Sequence, residues 1–261
     1  IVEFMSRILP IEDEEVSKAM AMVYKKRGIE ILTESSVEKV EIKKDRCHVT
    51  VKTKTGEVTM ESDIVLSAAG VQTNLENLGL EEMGIKSDKG KVIVDDFYRT
   101  SAPGVYAIGD IVPGPALAHV ASAEGIICVE AICGHHPAPL NYGNIPGCTY
   151  THPEVASVGY TEAQAKEKGY DIMVGKFPFS ASGKASAGGH KDGFVKVIFD
   201  KKYGEWLGCH MVGEGVTDMI IEAVVARNLE TTGLEILKSV HPHPTMSEAV
   251  MEAVAQAYGE C

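Results

Sequence analysis

The sequence predicts an α/β region followed by an α+β region in which helices cover an antiparallel sheet. In the first region, the apolar runs Asp63–Gly70 and Val105–Asp110 both reach a glycine, as buried strands of α/β sheets do. In the second region, longer strand-like runs alternate with amphipathic helical segments. An apolar share of 44% over 261 residues is sufficient for one large core or two modest ones.

The chain begins with a helix and a small sheet. Residues Asp13–Arg27 predict a helix because they pass from acidic to basic side chains and carry an apolar face. That face comprises Val16, Met20 and Val23. Residues Ile29–Leu32 predict a buried strand. Three segments that alternate in polarity predict an antiparallel meander, namely Val37–Ile42, Cys47–Lys54 and Val58–Met60.

Thr100–Asp110 predicts a turn, a short buried strand and a ligand-contacting end. The strand is Val105–Ile108, and Gly109 and Asp110 follow at its carboxyl end, where open α/β sheets bind ligands. Glycine lets a ligand approach the backbone closely, and a carboxylate accepts hydrogen bonds from hydroxyl groups. An ordinary Gly-Asp turn after a strand is the alternative.

The last part of the chain predicts an antiparallel sheet covered by helices. The predicted strands are Ile172–Phe177, Phe194–Phe199 and Leu207–Val212. The predicted helices are Thr161–Lys168, Thr217–Arg227 and Ser247–Tyr258. The last two carry apolar faces large enough for a dimer contact, including Val250, Ala253, Val254 and Ala257.

The segment His241–Val250, with the sequence HPHPTMSEAV, places an imidazole just before a helix that opens with a carboxylate. Histidine titrates near neutral pH, and a nearby carboxylate can fix its tautomer, so the pair can act as a base with its orienting group. The two prolines restrict the backbone around His243. The alternative is a helix start in which Thr245 and Glu248 form a capping box. The residues alone leave both interpretations open.

The HPHPTMSEAV stretch closely resembles the C-terminal signature of the dihydrolipoamide dehydrogenase family of flavoprotein disulfide reductases. The resemblance implies that His243 is the general base and that Glu248 orients it. The stretch TSAPGVYAIGD resembles the same family, which implies that Gly109 and Asp110 bind FAD, with Asp110 at the ribityl chain. The stretch LAHVASAEG resembles the segment beneath the flavin ring. FAD contacts of Ala118 and His119, mostly through backbone atoms, are implied there.

The same resemblance implies NAD contacts near the start of the chain. Residues Ile1–Phe4 look like the strand that follows the family's NAD fingerprint helix, so Glu3 is expected to bind the adenosine ribose hydroxyls. By the same resemblance, Val37 lines the adenine pocket and Gly70 approaches NAD. A place in the core of a strand explains Val37 equally well.

The resemblance also implies three parts of the chain. Residues 1–72 are the C-terminal part of an NAD-binding domain, 73–141 a returning segment of an FAD-binding domain, and 142–261 an interface or dimerisation domain. The first two are expected to be partial three-layer domains. The family's two GxGxxG fingerprints and its redox cysteine pair do not occur in this sequence. We therefore expect the C-terminal half, or slightly more, of a longer enzyme, inactive by itself.

The activity implied by the resemblance is the oxidation of protein-bound dihydrolipoamide to lipoamide, through a redox disulfide and FAD, with reduction of NAD. The implied partners are a second copy of the chain, bound through the C-terminal domain, and a lipoyl-bearing acyltransferase or carrier protein of a 2-oxoacid dehydrogenase or glycine cleavage complex. The alternatives are a glutathione-reductase-like oxidoreductase and a dimerisation core without activity. A bacterial cytoplasm is expected, with a mitochondrial matrix as the alternative.

Charge and hydropathy exclude some partners. The formal net charge of -12 argues against a nucleic-acid surface, and no apolar run reaches transmembrane length. Metal binding through His135, His136 and the HPHP turn is a further alternative. A solvent-exposed loop at these histidines is favoured, because no third or fourth ligand lies at a suitable spacing. We therefore expect no metal site.

Cys128 and Cys133 have the spacing of the family's redox pair but lie in a predicted apolar helix, Ile126–Ile132 and its end. On a helix, five residues rotate a side chain by about 140° beyond a full turn, so the two sulfur atoms diverge. We expect both to be buried thiols. The given sequence ends with a single cysteine, Cys261, whereas mercuric reductases end in a vicinal cysteine pair, so we do not expect a mercuric reductase.

Overall fold

The computed structural model describes residues 1–260, so Cys261 lies outside the described residues. These residues form two compact units, one of residues 1–65 together with those from 146 onward, the other of residues 66–145. In chain order the elements are α1 (Glu14–Lys26), β1 (Ser36–Lys43), β2 (Arg46–Thr53), β3 (Gly56–Ser62), β4 (Ser87–Asp88), β5 (Lys91–Val92), α2 (Ala118–Ile132), β6 (Gly147–Thr149), β7 (Glu154–Gly159), α3 (Glu162–Glu167), β8 (Ile172–Pro178), α4 (Gly183–Gly188), β9 (Phe194–Asp200), β10 (Trp206–Gly213), α5 (Val216–Asn228), α6 (Gly233–Lys238) and α7 (Glu248–Tyr258).

A five-stranded antiparallel sheet forms the centre of the first unit, in the order β6-β7-β10-β9-β8. Helices α5 and α7 pack on one face of this sheet, and α1 and α3 pack on the other. The predicted antiparallel sheet covered by helices is therefore confirmed. The structure also contains strands β6 and β7 and helices α4 and α6. These four elements were not predicted, because their short segments carry little periodicity.

Strands β9 and β10 lie in the middle of this sheet, and every one of their residues is buried. Alternate side chains of a strand point to opposite faces. Val195, Val197 and Phe199 accordingly join the core beneath α5 and α7. Phe194 packs with α1 on the other face, and Ile198 packs with α3. Burial of each such side chain stabilises the fold by about 1.5–3 kcal/mol.

Lys196 of β9 is a charged residue in this core, with its side chain 1% exposed. Its Nζ lies 3.0 Å from Asp13 Oδ1, 2.8 Å from Glu15 Oε2 and 2.7 Å from Glu162 Oε2. Burial by itself lowers the pKa of Lys196, but the hydrogen bonds to the three carboxylates more than reverse this and raise the pKa above its usual range. The ammonium group therefore remains charged in the interior.

Asp13 links this ion cluster to the start of two helices. Burial alone raises the pKa of Asp13, but the hydrogen bond from Lys196 and those from two backbone N–H groups bring the pKa below its ordinary 3.8. Its Oδ1 accepts the N–H of Glu15 at 3.0 Å, which caps α1. Its Oδ2 accepts the N–H of Glu162 at 3.1 Å, at the first residue of α3. One carboxylate thus fixes both helices against β9.

His210 of β10 is a second buried polar residue in the sheet. Its Nε2 lies 2.9 Å from the carbonyl oxygen of Tyr160, to which it donates as the neutral tautomer. Burial lowers the pKa of His210 below its ordinary value of 6.5. This histidine is therefore neutral at pH 7 and serves as a sheet residue.

The predicted helix and meander near the start of the chain are confirmed. Helix α1 buries Val16, Met20 and Val23 as its periodicity predicts. Strands β1, β2 and β3 pair antiparallel as the predicted meander, with a tight turn at Thr53–Gly56. This small sheet is largely exposed, and Val51 of β2 is its most buried residue.

Three predicted strands are wrong. Residues Ile29–Leu32 form only an isolated parallel bridge between Leu32 and Val2. Residues Asp63–Gly70 are unpaired, and the large apolar side chains of this run are exposed. Val105–Ile108 forms a single bridge between Tyr106 and Arg99. A strand requires a neighbour that takes up its N–H and C=O groups, and within residues 1–260 these runs have at most one isolated bridge each.

The second unit has its own small core, which comprises Ile85, Val92, Ala102, Ala107 and Val112. Strands β4 and β5 form a short hairpin beside it. Helix α2 begins at Ala118, eight residues before the apolar run Ile126–Ile132 from which it was predicted. Ala118 and His119 therefore lie in its first turn.

The cysteine prediction is half correct. Cys128 is buried on α2, whereas Cys133 is exposed, so its assignment as a buried thiol is wrong. Helix α2 ends at Ile132, and Cys133 is the residue that caps it, beyond the packed part of the helix. None of the helices within residues 1–260 combines the length and the apolar character needed to cross a bilayer.

We expect Lys196→Met to lower the free energy of unfolding by about 2–4 kcal/mol, because three carboxylates then share a partly buried site without a cation. The control is Lys201→Met, since Lys201 lies 3.7 Å from Asp171 and both side chains are exposed. This control should change stability by less than about 0.5 kcal/mol. Urea denaturation at pH 7 measures both. Equal values for the two variants would show that the buried cluster adds nothing.

Candidate functional site

The HPHP segment lies between α6 and α7, and α7 begins at Glu248. The side chain of His243 is 78% exposed, whereas that of Glu248 is 28% exposed. The peptide bond between His243 and Pro244 is cis. An exposed imidazole on a proline-restricted segment is accessible to a substrate from solution.

Glu248 uses its two carboxylate oxygens for two different partners. Oε1 lies 2.8 Å from Nδ1 of His243, and Oε2 accepts the backbone N–H of Thr245 at 2.8 Å. The hydroxyl of Thr245 donates to the carbonyl oxygen of Pro242 at 2.7 Å instead of capping α7. Half of the predicted capping box is therefore present together with the His–Glu pair. The contact that the first interpretation requires is present, its catalytic role stays a prediction, and the second interpretation holds only for the carboxylate half of the box.

These contacts determine the protonation of the pair. The N–H of Thr245, and then the hydrogen bond to His243, hold the pKa of Glu248 below its ordinary 4.5. The group is therefore a carboxylate at neutral pH, and a carboxylate only accepts hydrogen bonds. The proton consequently resides on Nδ1 of His243, and Nε2 carries the lone pair. The arrangement can take a proton at Nε2 and stabilise the resulting imidazolium.

A second pair of a histidine and a glutamate, which the sequence did not reveal, anchors the same segment. The side chain of His241 is 9% exposed, and its Nε2 lies 2.8 Å from Oε1 of Glu222 on α5. Its Nδ1 lies 3.0 Å from the carbonyl oxygen of Ser239. This pair ties the residue just before Pro242 to a neighbouring helix. Glu222 is 19 residues away in sequence, so no local spacing indicates the contact.

Gly109 and Asp110 lie in a short 3-10 helix, Gly109–Ile111, in the second unit. Gly109 has φ +77°, and a Cβ placed there would come within 3.3 Å of Cβ of Ala121. Asp110 is exposed at the edge of a cleft of about 650 Å³ that Thr73 and Lys91 also line. Lys91 Nζ donates to the carbonyl oxygen of Asp110. The structure thus presents an exposed carboxylate beside a close-packed glycine.

Ala118 and His119 occupy the exposed first turn of α2. No side chain caps this helix at Leu117. The N-terminus of a helix carries a partial positive charge and directs backbone N–H groups outward, which suits electron-rich ligand groups. The geometry is therefore suitable for contacts made through backbone atoms.

The three residues predicted to bind NAD differ in their settings. Glu3 follows the bridge at Val2, and its Oε1 accepts the N–H of Met5 at 2.8 Å. The N–H of Ser35 donates to the carbonyl oxygen of Glu3 at 3.0 Å, which places Glu3 beside the start of β1, the strand of Val37. Val37 is 47% exposed. Gly70, in the second unit, has φ +110° and open space around it. Their roles stay predictions.

The remaining histidines carry no metal cluster in the part of the chain that the structure describes. His135 and His136 are exposed after the end of α2. Between residues 1 and 260, no group of three or more His, Cys, Asp or Glu side chains is arranged to hold a metal ion. Each of the two HPHP histidines instead forms a hydrogen bond with one carboxylate, His241 with Glu222 and His243 with Glu248.

Family comparisons cover most of the chain. The profile described as pyridine nucleotide-disulphide oxidoreductase matches residues 1–125, and the profile of the dimerisation domain of the same proteins matches residues 145–254. The chain is 51% identical to dihydrolipoyl dehydrogenase of Rhizobium etli, over 99% of this chain and 54% of the relative. It is 50% identical to dihydrolipoyl dehydrogenase of Zymomonas mobilis, over 99% of this chain and 56% of the relative.

The fold is similar to that of solved structures as well. It superimposes on LpdA of Mycobacterium tuberculosis with a TM-score of 0.89 and 26% identity, over 97% of this chain and 55% of that one. The chain spans about half the length of the curated relatives it matches.

We expect the pKa of Glu248 to stay below 4.5 in the variant His243→Gln, because the N–H of Thr245 is the larger cause of the lowering. Carbon-13 NMR titration of the labelled carboxyl groups measures this. The control is Glu235, whose pKa is lowered by its own capping partner Thr232 and should not change. A return of Glu248 to its ordinary pKa would mean that His243 alone sets the charge of the pair.

Proposed function

Because the chain belongs to the pyridine nucleotide-disulphide oxidoreductase family, we propose that it supplies the proton-accepting base and the dimer contact of a dihydrolipoyl dehydrogenase. The overall reaction converts dihydrolipoamide and NAD⁺ to lipoamide, NADH and a proton. The hydrogen bond of 2.8 Å between His243 Nδ1 and Glu248 Oε1 carries the proposal. The similarity to dihydrolipoyl dehydrogenases along almost the whole chain also supports the proposal.

In the proposed mechanism, Nε2 of His243 takes the proton from one thiol of dihydrolipoamide. The thiolate attacks one sulfur of the enzyme's redox disulfide, a cysteine pair that this sequence does not contain. A mixed disulfide forms and the other enzyme sulfur leaves as a thiolate. His243 then releases the first proton to water and takes the proton of the second lipoyl thiol, whose sulfur displaces the enzyme sulfur from the mixed disulfide as a second thiolate. The substrate is thereby oxidised to the disulfide, and the enzyme pair is reduced.

Glu248 contributes to this step electrostatically. Its carboxylate holds Nδ1–H, so that Nε2 presents its lone pair, and it stabilises the imidazolium once the thiol proton has arrived. The thiolate is the reactive form of a thiol, so a base that works near neutral pH is what the reaction requires. The exposed position of His243 admits a thiol carried on another protein.

We assign FAD and NAD as the cofactors. A bound FAD would supply the acceptor for the two electrons of the reduced cysteine pair, and NAD would be the final acceptor. The exposed carboxylate of Asp110 can accept hydrogen bonds from the ribityl hydroxyls. Gly109 has no side chain, which allows α2 to lie close to this loop. Ala118 and His119 offer backbone atoms of an uncapped helix start.

Glu3, Val37 and Gly70 are the residues proposed for NAD. Oε1 of Glu3 is engaged by the N–H of Met5, so Oε2 is the oxygen for the ribose hydroxyls. Val37 exposes an apolar side chain that a purine ring could cover, and Gly70 leaves room for a nucleotide. The assignment of residues 1–72 to an NAD-binding domain and 73–141 to an FAD-binding domain belongs to the same proposal.

Residues 142–261 are the proposed interface domain, and their match to a dimerisation profile supports a homodimer. The apolar face of α7 that was predicted for a dimer contact is not available for it, because Val250, Ala253 and Val254 are fully buried in the core of the same chain and Ala257 packs against them. Two residues of α5 and the residue that caps it are instead exposed one turn apart and would be covered by a second copy, namely Ile221, Val225 and Leu229. The other proposed partner is a lipoyl-bearing acyltransferase or carrier protein. Relatives from bacteria make the cytoplasm the proposed compartment.

The chain of 28.0 kDa purified by itself should be colourless and should form no NADH from dihydrolipoamide and NAD⁺. Its sequence lacks both dinucleotide fingerprints and the redox pair, on which FAD retention and electron transfer depend. Intact mass, the visible absorbance spectrum and a coupled assay on one sample measure this. Flavin absorbance together with this mass would contradict the expectation.

In the complete enzyme, His243→Gln should reduce dihydrolipoamide oxidation by about 10²–10⁴-fold, because the glutamine side chain cannot take up the thiol proton. FAD content should be unchanged, since His243 holds no cofactor in the proposal. His136→Gln, at an exposed loop histidine, is the matched control and should retain normal turnover. A near-normal rate for His243→Gln would rule out His243 as the base.

A further inference from the structure

A buried carboxylate lies on α2, whose other polar side chains, those of His119, Ser122 and Glu130, are not buried. Glu124 is 1% exposed. Its Oε2 accepts the backbone N–H of Gly109 at 2.6 Å, and its Oε1 accepts the hydroxyl of Tyr142 at 2.6 Å. Both oxygens of Glu124 are therefore engaged, one by the Gly109–Ile111 turn and one by an aromatic residue 18 positions later.

The first of these bonds acts on the residue before Asp110. Gly109 has φ +77°, a conformation that other residues rarely adopt, and its Cα lies close to Ala121 of α2. The N–H of Gly109 would be left without a partner at this close contact if the side chain of Glu124 were removed. The bond holds the backbone of Gly109, and with it the direction in which Asp110 leaves the turn.

The second bond holds Glu124 itself. Burial and then the hydrogen bond to Glu124 raise the pKa of Tyr142 above its usual range, so its hydroxyl stays a donor. The hydroxyl of Tyr98 lies 3.3 Å from that of Tyr142. The ring of Tyr142 also lies so close to Gly114 that a Cβ there would be 2.9 Å from Cε1. Tyr142 thus contacts the loop after Asp110 while it fixes Glu124.

We propose that Glu124 is a positioning residue for FAD binding, which acts by holding the N–H of Gly109 so that the Asp110 carboxylate meets the ribityl hydroxyls. This inference rests on the proposed function, because it requires FAD at Asp110. Glu124 itself does not touch the cofactor. A role confined to packing would change the stability of the unit and leave FAD affinity in the folded protein unaltered.

The test compares variants of the complete enzyme by their FAD dissociation constants. In Glu124→Leu the constant should rise by about 10-fold, the effect of one backbone donor left unpaired. In Glu124→Gln it should stay within about 3-fold of wild type. The amide oxygen can accept the N–H of Gly109, and the amide NH₂ can donate to the Tyr142 oxygen, because that hydroxyl is able to rotate.

Two further variants keep the test decisive. Glu124→Asp retains the charge but is one methylene too short to reach the N–H of Gly109, so it should weaken FAD binding by a similar factor. It takes the place of Glu124→Leu in the test if that variant does not fold. Glu81→Leu, at an exposed glutamate of the same unit, is the matched control and should bind FAD normally. Unchanged FAD affinity in folded Glu124→Leu or Glu124→Asp enzyme would overturn the inference and leave the proposed function intact.

The second readout needs no cofactor. Hydrogen exchange of the Gly109 amide, followed by NMR in the ¹⁵N-labelled chain, should be faster in Glu124→Asp than in wild type and nearly unchanged in Glu124→Gln. Equal exchange in all three would show that the bond does not hold the turn, and would overturn the inference. A complete wild-type enzyme that binds no FAD, with Gly109 still protected, would refute the proposed function and the inference together.

Discussion

The sheet of the first unit depends on how a single buried ammonium group is neutralised. Removing Lys196 from water costs several kcal/mol, and only close carboxylates offset this. Asp13, Glu15 and Glu162 come from the starts of α1 and α3, so both helices must dock on β9 for the charge to be matched. The opposite face of the same strand is apolar and receives α7, where Phe199 meets the ring of Tyr258 with centroids 5.5 Å apart. The helix that begins at Glu248 is therefore placed by a strand whose other face is fixed by charge.

At the candidate site, one carboxylate joins the start of a helix to the orientation of an imidazole. Glu248 accepts the N–H of Thr245 with one oxygen and contacts His243 with the other, so the imidazole is oriented as soon as the segment before α7 folds. His241 and Glu222 attach the same segment to α5. An imidazole held in this way needs little reorganisation when a proton arrives, which is the usual advantage of a preorganised site. The imidazole of His243 remains exposed without losing its orientation.

The sequence was informative where the contacts are local. Helix α1, the β1–β3 meander and the capped helix α3 follow from periodicity and capping residues within a few positions. The runs Asp63–Gly70 and Val105–Ile108 look the same as strands in composition, but a strand exists only with a partner, and composition does not name one. His243 and Glu248 could be found because they are five residues apart within a recognisable motif. The contacts Glu124–Gly109 and His241–Glu222 join residues 15 and 19 positions apart, and no pattern in the chain links them.

The double role of Glu248 also limits how the site can change over time. A substitution at this position alters the start of α7 and the orientation of the imidazole at once, so neither property can drift while the other is maintained. A randomised library screened only for a well-folded C-terminal unit would already be biased toward side chains that can accept the N–H of Thr245. Such a library would retain an acceptor beside His243 without any selection for turnover. In this segment, the contact that begins the helix and the contact that orients His243 depend on the same side chain.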